Sequence, residues 1–184
     1  PDAAHIVDLG THQQTYVQAL AGMNRFSRKT VLNPICPIDP GSLASDISVV
    51  HGDPDEVLAA GSVDALALFE VLDRTADVDG LMEAAQRMLR PSGLAFVTGI
   101  LSTGFDIQTL WEKASNIFPP DRLNVFSVEG LTQLLEKHGF EVLEFSTPGM
   151  FDFATVAHAL ETDPNVAVPR FVSYMIENRG AEGR

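Results

Sequence analysis

The sequence predicts an α/β fold: a doubly wound, mostly parallel sheet with helices on both faces. Three observations lead there. Val63–Leu68 and Leu94–Thr98 are apolar runs without polar alternation, the pattern of strands buried on both sides. Between them Val78, Leu81, Met82, Ala85, Met88 and Leu89 recur at helical spacing and make one apolar stripe. Strand, helix and strand within that length form a right-handed crossover, which makes the two strands parallel. The chain also opens with strand, glycine and helix: His5–Leu9, Gly10, then Gln13–Leu20 with Tyr16, Val17 and Leu20 on one face.

The remaining elements follow in order. A second strand over 29–33 is ended by Asn33-Pro34, and Pro34, Pro37 and Pro40 stiffen the loop after it. Ile47–Val50 is the third strand, and Asp53 caps a helix over 55–60. Val63–Leu68 is the fourth. Asp77 caps the next helix, with Asp79 in its first turn, and Pro91-Ser92-Gly93 ends that helix and turns the chain into the fifth strand, 94–99. A helix over 106–117 sets Ile107, Leu110, Trp111 and Ala114 on one side, where Trp111 reads as a packing residue, with the lining of a substrate mouth as the alternative. Asn116–Phe126 reads as a loop. Ser127 caps a helix with the stripe Leu131, Leu134 and Leu135, Gly139 closes it, and His138 in its last turn is structural. Phe140–Phe145 alternates, which predicts a sixth strand over 140–146 with one wet face. Pro148-Gly149 turns the chain into helices over 151–160 and 169–178. Residues 1–150 are thus expected to form the main domain and 151–184 a helical extension of it.

Composition narrows the function. The formal net charge is −13, with no Lys/Arg cluster, which argues against a nucleic-acid partner. No run of about 18 apolar residues predicts a membrane span. Cys36 is the lone cysteine, so no internal disulfide forms and a cytoplasmic setting is expected. No base stands near Cys36 in sequence, so it reads as a packing residue. Zinc-ligand spacing, a nucleophile elbow and a phosphate-binding loop are all missing, and no metal is expected.

The stretch from Phe69 to Gly99 carries Leu72-Asp73-Arg74 after the fourth strand and Leu89-Arg90-Pro91-Ser92-Gly93 at the turn. It resembles the fourth strand, helix and fifth strand of class I S-adenosylmethionine-dependent methyltransferases of the small-molecule type. The resemblance continues through Asn116–Gly149 and covers most of Ala4–Gly149. It implies a Rossmann-like sheet with the first and fourth strands adjacent at its centre. It also implies that helices ahead of the first strand, and a seventh, antiparallel strand, lie outside this chain.

The resemblance further implies a cofactor, S-adenosylmethionine, across the carboxyl ends of the strands. By alignment Asp8 and Gly10 match the family's acid and first glycine, while His12 and Gln14 stand where two more glycines belong, which implies weakened binding. Asn33 occupies the position of the ribose-binding acid, Asp53 is the candidate beside adenine, and Leu68 and Phe69 line the same cleft. Arg74 and Arg122 replace histidines that many relatives carry. Arginine is no base at neutral pH, so both become candidates to hold an anionic group of a small-molecule acceptor. His12, His51 and Asp121 remain as possible bases. The activity implied is methyl transfer to a small molecule. A nicotinamide-binding fold fits the later segments worse, and a methyltransferase-like domain kept as a binding or scaffolding module is the non-enzymatic alternative.

Overall fold

The structure, a computed structural model, describes residues 4–11, 13–39, 41, 43–117, 120–147 and 150–182. His12, Pro40, Pro148 and Gly149 lie outside the described residues. Five strands form one sheet: β1 His5–Leu9, β2 Arg28–Leu32, β3 Ile47–Val50, β4 Val63–Phe69 and β5 Leu89–Thr98. Their order is β3-β2-β1-β4-β5 and every pairing is parallel. The helices are α1 Gln14–Ala21, α2 Pro54–Val57, α3 Val78–Met88, α4 Phe105–Leu110, α5 Val128–Lys137, α6 Met150–Thr162 and α7 Arg170–Glu182.

Side-chain alternation along each strand feeds two cores. Val7, Leu9, Leu66 and Leu68 point to the face covered by α3 and α5, where they meet Met82, Ala85, Met88 and Leu135. Ile6, Val31 and Ala65 point to the opposite face and pack on Val17 and Leu20 of α1. That is the doubly wound arrangement expected. A third cluster joins α4, α6 and α7 through Ile107, Leu110, Val156 and Val172. No described helix is long and apolar enough to cross a membrane.

The expected caps form. The Asp77 carboxylate accepts from the Gly80 amide at 2.9 Å, and Ser127 Oγ accepts from the Gly130 amide at 3.0 Å. Gly139 ends α5 with φ +79, a conformation that favours glycine. His138 Nε2 lies 2.7 Å from Asp79 Oδ1 and ties α5 to α3, a structural role.

Four expectations need correction. Pro91-Ser92-Gly93 is a bulge inside β5 rather than a turn before it: Val63 pairs with Leu89 and Ala65 with Leu94, so the extra residues loop out between two ladder positions. Gly93 is needed there, since a Cβ would meet the Leu89 side chain at 2.9 Å and the Arg90 carbonyl at 3.0 Å. The sixth strand does not form. Phe140 and Val142 pack on the core and Leu143 is exposed, so burial alternates, but no described strand lies alongside to complete a ladder. The helix over 106–117 stops at Leu110, because Trp111 takes φ +50 and begins a 3₁₀ turn, Trp111–Lys113. Trp111 therefore swings off the packed side and is 70% exposed. The helix over 55–60 is one turn long, and the Asp53 carbonyl accepts from Glu56 and Val57 at its start.

The caps give a direct check on this reading. Ser127→Ala should lower stability by about 1 kcal/mol, the usual value of an N-cap, measured as a shifted denaturant midpoint with unchanged slope.

Candidate functional site

In a doubly wound sheet, ligands bind beyond the carboxyl ends of the strands, where the order reverses. Here that place is the end of β1, with β2 on one side and β4 on the other. The turn after β1 is held by Gly10, whose amide donates to the Leu32 carbonyl at 2.8 Å. Its φ is +71, and a Cβ would meet Val71 Cγ1 at 3.2 Å, so only glycine fits without strain. Gln14, aligned with a family glycine, is the first residue of α1. No acidic side chain stands in the first turn of α1, so no carboxylate of the helix itself opposes an anion there.

Asp8 lies just inside this turn. It is 1% exposed, and among the described residues neither carboxylate oxygen has a hydrogen-bond partner. Burial pushes its pKa up to about 7. An orphaned carboxylate under a strand end is costly unless something donates to it. Gly10, the acid-free first turn of α1 and Asp8 together fit the amino-acid end of an S-adenosylmethionine molecule.

The ribose end is built differently. Asn33 takes φ +50 and its amide clasps Gly52: Nδ2 donates to the Gly52 carbonyl at 2.8 Å, and Oδ1 accepts from the Gly52 amide at 2.9 Å. The side chain expected to meet ribose thus joins the ends of β2 and β3, and Asp53, exposed, follows Gly52 by one residue. Phe69 is half-buried, with its ring 5.4 Å from that of Tyr16 on α1. Leu68 is fully buried in the α3/α5 core, on the face away from Asp8, so its side chain does not line the cleft.

An ion network covers the end of β4. Glu70 takes φ +54 immediately after the strand, an unusual conformation for its residue type. Its carboxylate accepts from Arg122 Nη2 at 2.8 Å, Arg74 Nη1 at 3.0 Å and the Tyr16 hydroxyl at 3.1 Å. Burial pushes the Glu70 carboxyl upward, but the hydrogen bonds from both arginines outweigh it and hold the group below its ordinary value. Arg122 also pairs with Asp73, which is 1% exposed. Arg74 grips Asp121 with two bonds, Nε to Oδ1 at 3.2 Å and Nη2 to Oδ2 at 2.9 Å. The loop that brings Arg122 is stitched on by the Leu123 and Asn124 amides, which donate to the Asp73 carbonyl.

Both arginines expected to hold an acceptor therefore stand at the site, with their guanidinium groups already engaged by the chain's own carboxylates. Glu70 and Tyr16 have no counterpart among the candidates read from the sequence. The available signal was a charged residue directly after a buried parallel strand. His51 is exposed beyond β3 and joins no such network among the described residues.

The Asp8 environment has a pH signature. A carboxyl with a raised folded pKa keeps its proton where the unfolded chain has lost it, so stability falls as pH rises from about 4 to about 7. Asp8→Asn should remove that fall and leave the variant about 2–4 kcal/mol more stable than the parent at pH 8. Denaturant unfolding of both proteins across pH 4–8 measures it.

Comparison with known proteins agrees with this geometry. A family model described as a methyltransferase domain matches residues 1–145. A search of the curated proteins found no match. Solved structures with the same fold include a chain from the complex of the Haloferax volcanii Trm112 methyltransferase activator with its methyltransferase. That chain is 19% identical with TM-score 0.59, and the match covers 94% of this chain and 77% of that one. The [4+2]-cyclase SpnF is 17% identical with TM-score 0.63, over 86% of this chain and 60% of its own. An S-adenosylmethionine-dependent methyltransferase from Archaeoglobus fulgidus is 12% identical with TM-score 0.58, over 100% and 80%. At these identities the likeness concerns the fold. The family assignment rests on the match over residues 1–145, and by it the chain belongs to the methyltransferase-domain family.

Proposed function

We propose that this chain binds S-adenosylmethionine and transfers its methyl group to a small-molecule acceptor. The observation that carries the proposal is Asp8: a buried carboxylate without a donor among the described residues, beside a glycine turn and a helix whose first turn holds no acid, at the switch point of a methyltransferase-family sheet. Asp8 and Gly10 would hold the amino-acid end. Phe69, with Asn33 and Asp53, would border the nucleoside, and Leu68 would contribute through its backbone and by supporting Phe69.

The cofactor supplies a sulfonium-activated methyl group, so little acid–base chemistry is asked of the protein. Its part is to align the acceptor with the methyl group and keep water out. Arg74 and Arg122 would act in this as positioning residues, fixing Glu70, Asp73 and Asp121 at the acceptor side. The half-buried Cys36 and the acidic surface accord with a cytoplasmic protein. A second reading, a methyltransferase-like domain kept as a binding or scaffolding module without catalysis, is favoured by one observation, the Asn33–Gly52 clasp, which takes up the side chain aligned with the ribose-binding acid.

Calorimetric titration with S-adenosylmethionine and S-adenosylhomocysteine tests the proposal. One site per chain is expected for each. Gly10→Val should weaken both by about a hundredfold or more, because a β-branched residue at positive φ must reshape the turn. Circular dichroism should show the sheet retained. No heat from the parent protein, or unchanged affinity in Gly10→Val, would contradict the proposal.

A further inference from the structure

The ion network at the end of β4 bears on what the acceptor can be. Three carboxylates (Glu70, Asp73 and Asp121) meet two guanidiniums (Arg74 and Arg122), which among the described residues leaves one negative charge in excess. Among the described residues no lysine and no third arginine joins them. Arg74 and Arg122 are 12% and 10% exposed at their side chains, so neither offers an open cationic face. A second observation points to a ligand group. Asp73 Oδ1 is buried and has no hydrogen-bond partner. It lies 3.5 Å from the position a Cβ would take on Gly99, at the carboxyl end of β5, where a glycine leaves room beside it. That oxygen lacks a donor.

Resting on the methyl-transfer reading, we propose that the acceptor presents a cationic or hydrogen-bond-donating group, an amine in its simplest form, to the ends of β4 and β5. This inverts the expectation of an anionic acceptor. A carboxylate or phosphate entering here would face Glu70 and Asp73 and would have to expel Asp121 from its two-bond grip on Arg74 before it found a cation. An ammonium group would complete Asp73 and neutralise the excess charge. Specificity would then come from repulsion as much as attraction.

The test uses the whole chain saturated with S-adenosylhomocysteine and two matched probe pairs, tyramine against 4-hydroxyphenylacetate and cadaverine against glutarate, with affinities from ligand-observed NMR. In at least one pair the amine should bind about tenfold or more tightly than the carboxylate, the order of discrimination one net charge sustains at a partly buried site. Asp73→Asn should narrow that gap to about twofold. Should that variant fail to fold, Asp121→Asn, on the exposed rim, frees Arg74 and should move the preference several-fold toward the carboxylate. Asp79→Asn, far from the site in the α3–α5 tie, should leave the gap unchanged. Carboxylates that bind as well as their amines in both pairs, amines that do not bind in either pair, or a preference unmoved in Asp121→Asn would overturn the inference. Failure of the underlying reading shows separately, as absence of S-adenosylhomocysteine binding before any probe is added.

Discussion

The arrangement of the site depends on one interaction, the Arg122 guanidinium held between Asp73 and Glu70. Arg122 comes from a loop, and the two acids follow β4, so the contact joins segments about fifty positions apart. It fixes the loop over the strand end and places Glu70 where Tyr16 can reach it from α1. Pairs as buried as this are poor sources of net stability, because desolvation offsets most of their attraction. Breaking one is another matter: removing either partner typically costs about 3–5 kcal/mol, since the other charge stays buried. Such a network holds a geometry more than it stabilises a fold. That suits a strand end where the backbone of Glu70 is itself in an unusual conformation.

The two halves of the cleft differ in how they are completed. Toward β2 and β3 the polar groups satisfy one another: Asn33 closes on Gly52, and the Asn33 amide donates to the Val50 carbonyl. Toward β1, β4 and β5 they do not, for Asp8 and Asp73 both keep buried oxygens without partners. The opposite end of the sheet is also polar, and there the buried atom without a partner among the described residues is an imidazole nitrogen, His5 Nδ1, not a carboxylate. There buried Lys29 gives its ammonium to Asp46 at 2.6 Å and to the Ala21 carbonyl at 3.0 Å. Two unsatisfied carboxylates at one end of a sheet, beside a glycine turn, mark that end as the one that meets a ligand.

Much of the fold was legible because parallel strands announce themselves as unbroken apolar runs and helices as stripes with caps. Val63–Leu68, the α3 stripe and the Asp77 and Ser127 caps need only local information, and the structure has them where they were expected. What misled was alternation at Phe140–Phe145, since a strand also needs a neighbour and no local pattern supplies one. Trp111 misled for the opposite reason. Helical spacing put it on the apolar side, but a single residue at positive φ ended the helix and turned it out. Near the candidate site, the turn that carries Asp8 and Gly10 was legible from the run of strand, glycine and helix. The partners of Arg74 and Arg122 were not, because Glu70, Asp73 and Asp121 look like ordinary surface acids until the chain folds. Tyr16 read as one more residue on the inner face of α1, and its hydroxyl finds Glu70 54 positions away.

With the proposed function, the ligand meets the molecule at the carboxyl ends of β1, β4 and β5. Mapping the backbone amide NMR signals as S-adenosylhomocysteine is added tests that placement residue by residue. The largest changes should fall at Gly10, Thr11, Phe69, Glu70 and Gly99, with Lys29 and Thr30 at the far end of the sheet unmoved. Changes centred on the far end of the sheet, or on α6 and α7 with Gly10 and Glu70 silent, would contradict it.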